Sequence, residues 1–259
     1  MAEDSENALA VAQRLDDQHE AAAQRADLAA LRAALAALAA GTHRQASSLE
    51  LDARSDQLHA AAATGDLAAL CAALAAGADV DARRTPNGVS KTPLARVVDP
   101  GMSLSEESRT ACVRALLLAG ASPSAPITTP GGDRWTPLHE AAFLGLYTVC
   151  RLLLDAGADV NERSNSSVND SALHCAAVLN RNQKIVALFL SRGAVDGPTV
   201  DRLGRSSYLQ KVRAAGGFAN YQKQHREKLV ATLAPKFAHV LPPELVSVVI
   251  TFWAPVGLH

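Results

Sequence analysis

The stretch that decides the fold is WTPLHEAAFLGLYTVCRLLLDAGADVN, which runs from Trp135 to Asn161. Thr136 predicts a helix N-cap, and Pro137 predicts the first helical position, where its missing N–H removes no hydrogen bond. Gly145 predicts the turn between two antiparallel helices, and apolar residues recur at helical spacing in the VCRLLL segment that follows. The closing GADVN indicates a turn that leads the chain onward. The stretch therefore predicts a helix–turn–helix unit.

Three further segments align with this stretch. They begin at Asp56 (DQLHAAAATGDLAALCAALAAGADVD), at Thr92 (TPLARVVDPG, then an insertion, then ACVRALLLAGASP) and at Ser171 (SALHCAAVLNRNQKIVALFLSRGAV). The aligned leucines are Leu58, Leu94, Leu138 and Leu173. Their separations of about 35 to 44 residues are typical of a small helical repeat.

This pattern resembles the ankyrin repeat, T-P-L-H-x-A-A…G…V-x-x-L-L-x-x-G-A-D-V-N. The third segment matches it almost throughout. The first has Asp56-Gln57 in place of Thr-Pro, the second lacks the histidine, and the fourth has Ser171-Ala172 for Thr-Pro and Asn180 at the turn glycine. The resemblance implies an all-α fold, an α-solenoid of four to five helix-turn-helix repeats with short hairpin loops, followed by C-terminal helices.

The same alignment gives the predicted domain organisation. We expect a flexible N-terminal tail (1–15), a degenerate N-terminal capping repeat (16–50), ankyrin repeats (51–200; about 51–83, 88–125, 132–163 and 168–198), and a degenerate repeat with a C-terminal helical cap or docking segment (201–259). The capping repeat is predicted because DQHEAAAQRADLAALRAALAA, from Asp17, aligns with the segment from Asp56. A free-standing alanine-rich helix is the alternative interpretation of this region.

Composition and charge favour an intracellular protein. The net charge is −1, so no basic excess indicates a nucleic-acid or anionic membrane partner. The N-terminal MAEDSENALA lacks the pattern of a signal peptide, and no apolar run approaches the roughly 18 residues of a membrane span. The four cysteines lie in apolar helical runs, which predicts buried, reduced thiols. We expect a cytoplasmic protein, with the nucleus as the alternative compartment.

The histidines could be mistaken for catalytic groups. His139-Glu140 resembles the start of a zinc-peptidase helix, but Phe143 stands where the second histidine would be. His59, His139 and His174 share one repeat position, which a scaffold requires and an active site does not. No nucleophile elbow, phosphate loop or metal-ligand spacing is present. We therefore expect no enzyme activity and no metal or cofactor, and Glu140 is interpreted as a variable surface position.

The ankyrin resemblance implies a concave face that binds a partner protein. In that family the hairpin tips and the exposed ends of the first helices line this face. By position, the predicted partner-binding residues are Trp135, Phe143, Leu144, Val178 and Leu179. The alternative is that the SPSAPITTPGG loop or the C-terminal helices cover this apolar patch. The sequence predicts a monomeric, non-enzymatic interaction scaffold with one or more protein partners, and it does not name them.

The C-terminal segment has a pattern of its own. YQKQHREKLVATLAPKF predicts an amphipathic helix, and LPPELVSVVITFW resembles the opening of an F-box, which docks a substrate receptor on a ubiquitin-ligase adaptor. The predicted docking residues are Leu241, Leu245, Val249, Phe252 and Trp253. The alternative function is thus a ubiquitin-ligase substrate receptor. A cap that buries the last repeat is the interpretation we favour for this segment.

Overall fold

Helices joined in pairs make up most of the computed structural model, which describes residues 48–165, 171–179, 182–195 and 207–237. The helices are α1 (Ser48–Thr64), α2 (Leu67–Ala75), α3 (Pro93–Val97), α4 (Glu106–Leu118), α5 (Pro137–Leu144), α6 (Tyr147–Asp155), α7 (Ala172–His174), α8 (Gln183–Ser191), α9 (Ser207–Ala214) and α10 (Phe218–Phe237). A 3₁₀ turn (Pro86–Gly88), a π-helical turn (Cys175–Leu179) and two short strands, β1 (Ile127–Thr128) and β2 (Arg134–Trp135), complete the list. The predicted all-α repeat fold is confirmed.

The predicted domain bounds are not tested by the described residues. The predicted tail, and the predicted cap as far as residue 47, lie outside them, as do residues 238–259 of the C-terminal segment. All of these bounds stay predictions.

The helices belong to two compact units. The first contains α1 to α4, and the second contains the hairpin and α5 to α10 together with residues 85–91 and 98–101. In the first unit, α1 packs against α2 and α3, and α4 packs against α2 and α3. In the second unit, α5 packs against α6 and α7, and α6 packs against α8. Each unit thus repeats the same arrangement of helix pairs.

The insertion between α3 and α4 is held by one arginine. Arg109, which is buried, donates from Nη1 to the carbonyl oxygen of Val97 at 2.5 Å and from Nη2 to that of Met102. Ser105 begins α4, because its Oγ accepts a hydrogen bond from the Ser108 amide at 3.1 Å. The loop is therefore ordered by backbone contacts of a charged side chain.

The helix pairs are α1–α2, α3–α4, α5–α6 and, as the fourth, α7 with its π-helical turn and α8. A short hairpin precedes the third pair. Ile127 pairs with Trp135 across its two antiparallel strands. Thr128 also pairs with Ser90, and each residue's amide donates to the other's carbonyl oxygen, at 3.1 and 2.8 Å. The hairpin is therefore a small ladder to which residues far apart in sequence contribute.

Side chains also connect one repeat to the next. Both Oδ atoms of Asp81 accept a hydrogen bond from the Ser122 amide, at 3.1 and 3.2 Å. The equivalent Asn161 accepts from the Val195 amide at 2.8 Å and donates to the carbonyl oxygen of Gly193 at 3.1 Å. The last residue of each ADV(D/N) sequence thus binds the backbone that follows the second helix of the next repeat. We call these contacts the inter-repeat hydrogen bonds.

The fourth helix pair differs from the third in its turn. The amide of Leu146, at the start of α6, donates to the carbonyl oxygen of Ala141, five residues earlier. The amide of Asn182, at the start of α8, donates to that of Ala176, six residues earlier. The fourth pair therefore has one extra residue at this turn, and the preceding helix widens into the π-helical turn, as insertions in helices commonly do.

The last described helices form an aromatic cluster. The rings of Tyr208 and Tyr221 meet edge to face at 5.4 Å, and Tyr221 stacks on His225 at 5.9 Å. Burial raises the pKa of Tyr208 to about 12. A helix is present where one was predicted, as α10, in which Leu229 and Val230 are half-buried. Its amphipathic character stays a prediction.

Candidate partner-binding surface

Trp135 is held in place from two directions. Its backbone pairs with Ile127 in the hairpin, and its half-buried ring meets the ring of His139 edge to face at 5.4 Å. Aromatic pairs of this geometry add to the energy of burial. The indole is therefore a fixed and partly accessible group at the start of α5.

Two of the three aligned histidines make hydrogen bonds that stabilise the backbone. His139 is almost fully buried, and its Nδ1 accepts from the Thr136 amide at 3.3 Å and lies 2.8 Å from Thr136 Oγ1. His59 Nε2 lies 2.8 Å from the carbonyl oxygen of Ala82, to which it must donate because a carbonyl oxygen only accepts. Burial lowers the pKa of His59, which favours the neutral ring. These contacts support a structural role rather than a catalytic one.

Phe143 and Leu144 lie in the last turn of α5. Ala141 and Ala142 face inward and are fully buried, so the opposite side of the helix faces outward. Phe143 remains 43% exposed and Leu144 is half-buried. Gly145 then ends the helix with φ of +79°, a conformation that glycine adopts without strain.

Glu140, one turn before Phe143 and Leu144 on α5, is influenced by two further charged residues. Lys91 Nζ is 2.5 Å from Asp99 Oδ2, and both side chains are largely buried. Glu140 is half-buried near this pair, and burial raises its pKa, with Asp99 adding to the shift and Lys91 opposing it. The interpretation of Glu140 as a mere surface position was therefore incomplete. We call Trp135, Glu140, Phe143 and Leu144 the α5 surface.

The sequence offered only a weak signal for Glu140. Its position in the repeat is occupied by Ala60, Arg96 and Cys175 in the other three segments, so its burial did not stand out. The ion pair that it approaches lies more than 40 residues earlier in the chain. Only the fold brings these groups together.

Val178 and Leu179 stand in the π-helical turn, but their side chains lie outside the described residues. The alignment that equated them with Phe143 and Leu144 assumed turns of equal length. That assumption is wrong, because the fourth pair has one extra residue between Ala177 and Asn182. Their role in partner binding stays a prediction. The five predicted docking residues from Leu241 to Trp253 also lie outside the described residues.

All four cysteines are buried thiols rather than halves of disulfides, as predicted. Burial raises the pKa of the Cys150 thiol, and the neighbouring Cys175 adds to this shift. Within the described ranges, no group of three or more histidine, cysteine or acidic residues could hold a metal ion. Likewise, none of the described helices is both long and apolar enough to cross a membrane.

The comparison with known families agrees with this architecture. A family model of ankyrin repeats in three copies matches residues 58–164 and 101–201, which together exceed half of the chain. A 59-residue stretch is 51% identical to the ankyrin repeat and KH domain-containing protein mask of Drosophila melanogaster, covering 23% of this chain and 1% of that protein. The chain belongs to the ankyrin repeat family, whose members are typically non-enzymatic modules of protein–protein interaction.

Proposed function

We propose that this chain is a non-enzymatic scaffold that binds a partner protein through the α5 surface, on the concave face implied by the ankyrin pattern. The observation that supports this most is the exposure of Phe143 on α5, the helix that the fixed ring of Trp135 precedes. Aromatic side chains that are already held in place make strong interface anchors, because little conformational entropy is lost on binding.

The charges around Glu140 indicate the chemistry of the partner. Asp99 and Glu140 contribute two carboxylates where Lys91 contributes one ammonium group. A cation brought by the partner would stabilise the ionised form of Glu140, whose pKa is raised by burial. The partner therefore presents a large apolar side chain close to a lysine or arginine.

The experiment is to isolate binding partners with the wild-type chain and then measure their affinity for Phe143→Ala. We expect Kd to rise by at least about 30-fold, as for an anchor worth about 2 kcal/mol. Leu118→Ala is the matched control, since Leu118 is a similarly exposed apolar residue on α4, and it should leave Kd unchanged. Equal affinity of wild type and Phe143→Ala would exclude the α5 surface.

The charge component has its own test. Glu140→Gln keeps the size of the side chain and removes its charge, so it should weaken binding and reduce the salt dependence of Kd. A partner that binds Glu140→Gln as tightly as wild type, with the same salt dependence, would contradict the proposed basic group.

The ubiquitin-ligase alternative rests on the resemblance of LPPELVSVVITFW to an F-box. Its test is to remove residues 238–259, which leaves α10 intact. Loss of an adaptor with retention of the α5-surface partner would favour the receptor. Unfolding of the shortened chain would favour the cap.

A further inference from the structure

The first helix pair carries an open groove that the proposed function does not use. The groove lies between α1 and α2 and has a volume of about 440 Å³. Five of its lining residues are alanines, among them Ala60 on α1 and Ala69 and Ala72 on α2, and these three are exposed. Small side chains along both helices allow another helix to approach closely.

Equivalent positions in later repeats are buried. Counted from the N-caps of the second helices, Ala69 corresponds to Val149 and Ile185, which are fully buried. Ala73 corresponds in the same way to Leu153 and Phe189, which are also fully buried. The groove therefore lies on a repeat-packing face, at which the second helix of the first pair has alanines in place of the larger buried side chains of later repeats.

The first helices show which part of the chain packs on this face. Glu140, at the position of Ala60, lies near Lys91 and Asp99, which belong to the preceding segment of the array. Cys175, at the same position of the next repeat, lies near Cys150 of the preceding pair. In both cases the neighbour comes from the preceding repeat. The neighbour of Ala60 should therefore come from the residues that precede α1.

The chain contains a fitting segment there. Residues 17–37 repeat residues 56–76 with 15 of 21 positions identical. The match includes Asp27, which corresponds to Asp66, whose side chain caps α2 by accepting from the Ala69 amide at 3.0 Å. Ten residues separate this segment from α1, enough to span roughly 30 Å when extended.

We propose that residues 17–37 pack as a helix pair into the α1–α2 groove, with alanines of the two repeats in direct contact. The groove is then an internal surface of the array. In this proposal the groove binds neither a second copy of the chain nor a separate partner.

The test is hydrogen exchange of the full-length chain, read by mass spectrometry for residues 17–37. We expect these amides to exchange at least tenfold more slowly than an unstructured peptide, and Ala69→Arg to remove that protection. Ala68→Arg is the matched control, since Ala68 is exposed on α2 but does not line the groove, and it should retain the protection.

A thermodynamic cycle strengthens the test. Leu31→Ala alters the segment at the position equivalent to buried Leu70, and its effect on the midpoint of unfolding should not add to that of Ala69→Arg. Each of three outcomes would overturn the proposal. The first is that these amides are unprotected in the wild type, and the second is that the effects of the two changes are additive. The third is that the chain forms a dimer that Ala69→Arg dissociates. These outcomes do not depend on whether the α5 surface binds a partner.

Discussion

The third and fourth helix pairs share their buried residues and differ in their turns. In both pairs a leucine and a histidine near the start of the first helix are almost completely buried. The third pair turns at Gly145, whereas the fourth passes through a π-helical turn with one extra residue. The difference shows that the buried positions specify the pair, and that the turn adapts to the number of residues available.

The largest effects should come from the equivalent core positions. We expect Phe189→Ala in the fourth pair to cost about 4 kcal/mol and Leu153→Ala in the third about 3 kcal/mol, because both side chains are fully buried and truncation leaves a cavity. Urea unfolding measures both values. Phe143→Ala is the control, since a 43% exposed phenylalanine should cost less than about 1 kcal/mol.

Such results would support a shared core despite the different turns. If Phe189→Ala cost no more than Phe143→Ala, the fourth pair would not be packed like the third, and the comparison would fail.

An intermediate effect should come from the turn of the third pair. Gly145 has φ of +79°, so Gly145→Ala should cost about 1–2 kcal/mol through backbone strain. Thermal unfolding reports the loss. Gly131→Ala is the control, because Gly131 lacks a positive φ and an added Cβ would meet no atom closer than 3.8 Å. Equal stability of Gly145→Ala and wild type would mean that this turn adapts as readily as that of the fourth pair.

The smallest effect should come from Glu140, whose equivalent in the fourth pair is the buried Cys175. Burial raises the pKa of Glu140 in the folded state, so the folded protein binds the proton more tightly than the unfolded chain. The free energy of unfolding therefore falls as the pH rises from the ordinary glutamate pKa through the raised one.

Glu140→Gln removes this dependence. The variant should be slightly more stable than wild type at neutral pH, and the difference should shrink as the pH falls below the ordinary pKa. Unfolding midpoints at pH 4 and pH 7 measure the difference. A variant that is less stable than wild type at pH 7 would show that the carboxylate is held by favourable contacts.

The sequence predicted the helix pairs and their core because these depend on local chemistry. A Thr-Pro pair such as Thr136-Pro137 favours the start of a helix, and a glycine such as Gly145 favours its end. The spacing of apolar residues identifies the buried side of the helix. The repetition of one histidine position predicted a structural role for these side chains. The burial of all four cysteines followed from the same apolar pattern.

The remaining features depend on contacts between distant residues. The alignment did not reveal the π-helical turn, because it placed Asn180 at the position of the turn glycine. Arg109 holds the inserted loop through two carbonyl oxygens that no side-chain pattern marks. Glu140 acquires its raised pKa only when the chain folds beside Lys91 and Asp99.

The inter-repeat hydrogen bonds have a consequence for how the repeats vary in length. One closes a loop of 41 residues, between Asp81 and Ser122, and the other a loop of 34 residues, between Asn161 and Val195. Closure entropy grows only with the logarithm of loop length, so the longer loop costs about 0.2 kcal/mol more. The array therefore accepts inserted residues between fixed contact points almost without loss of stability, and those insertions are the places where a repeat protein gains new surface.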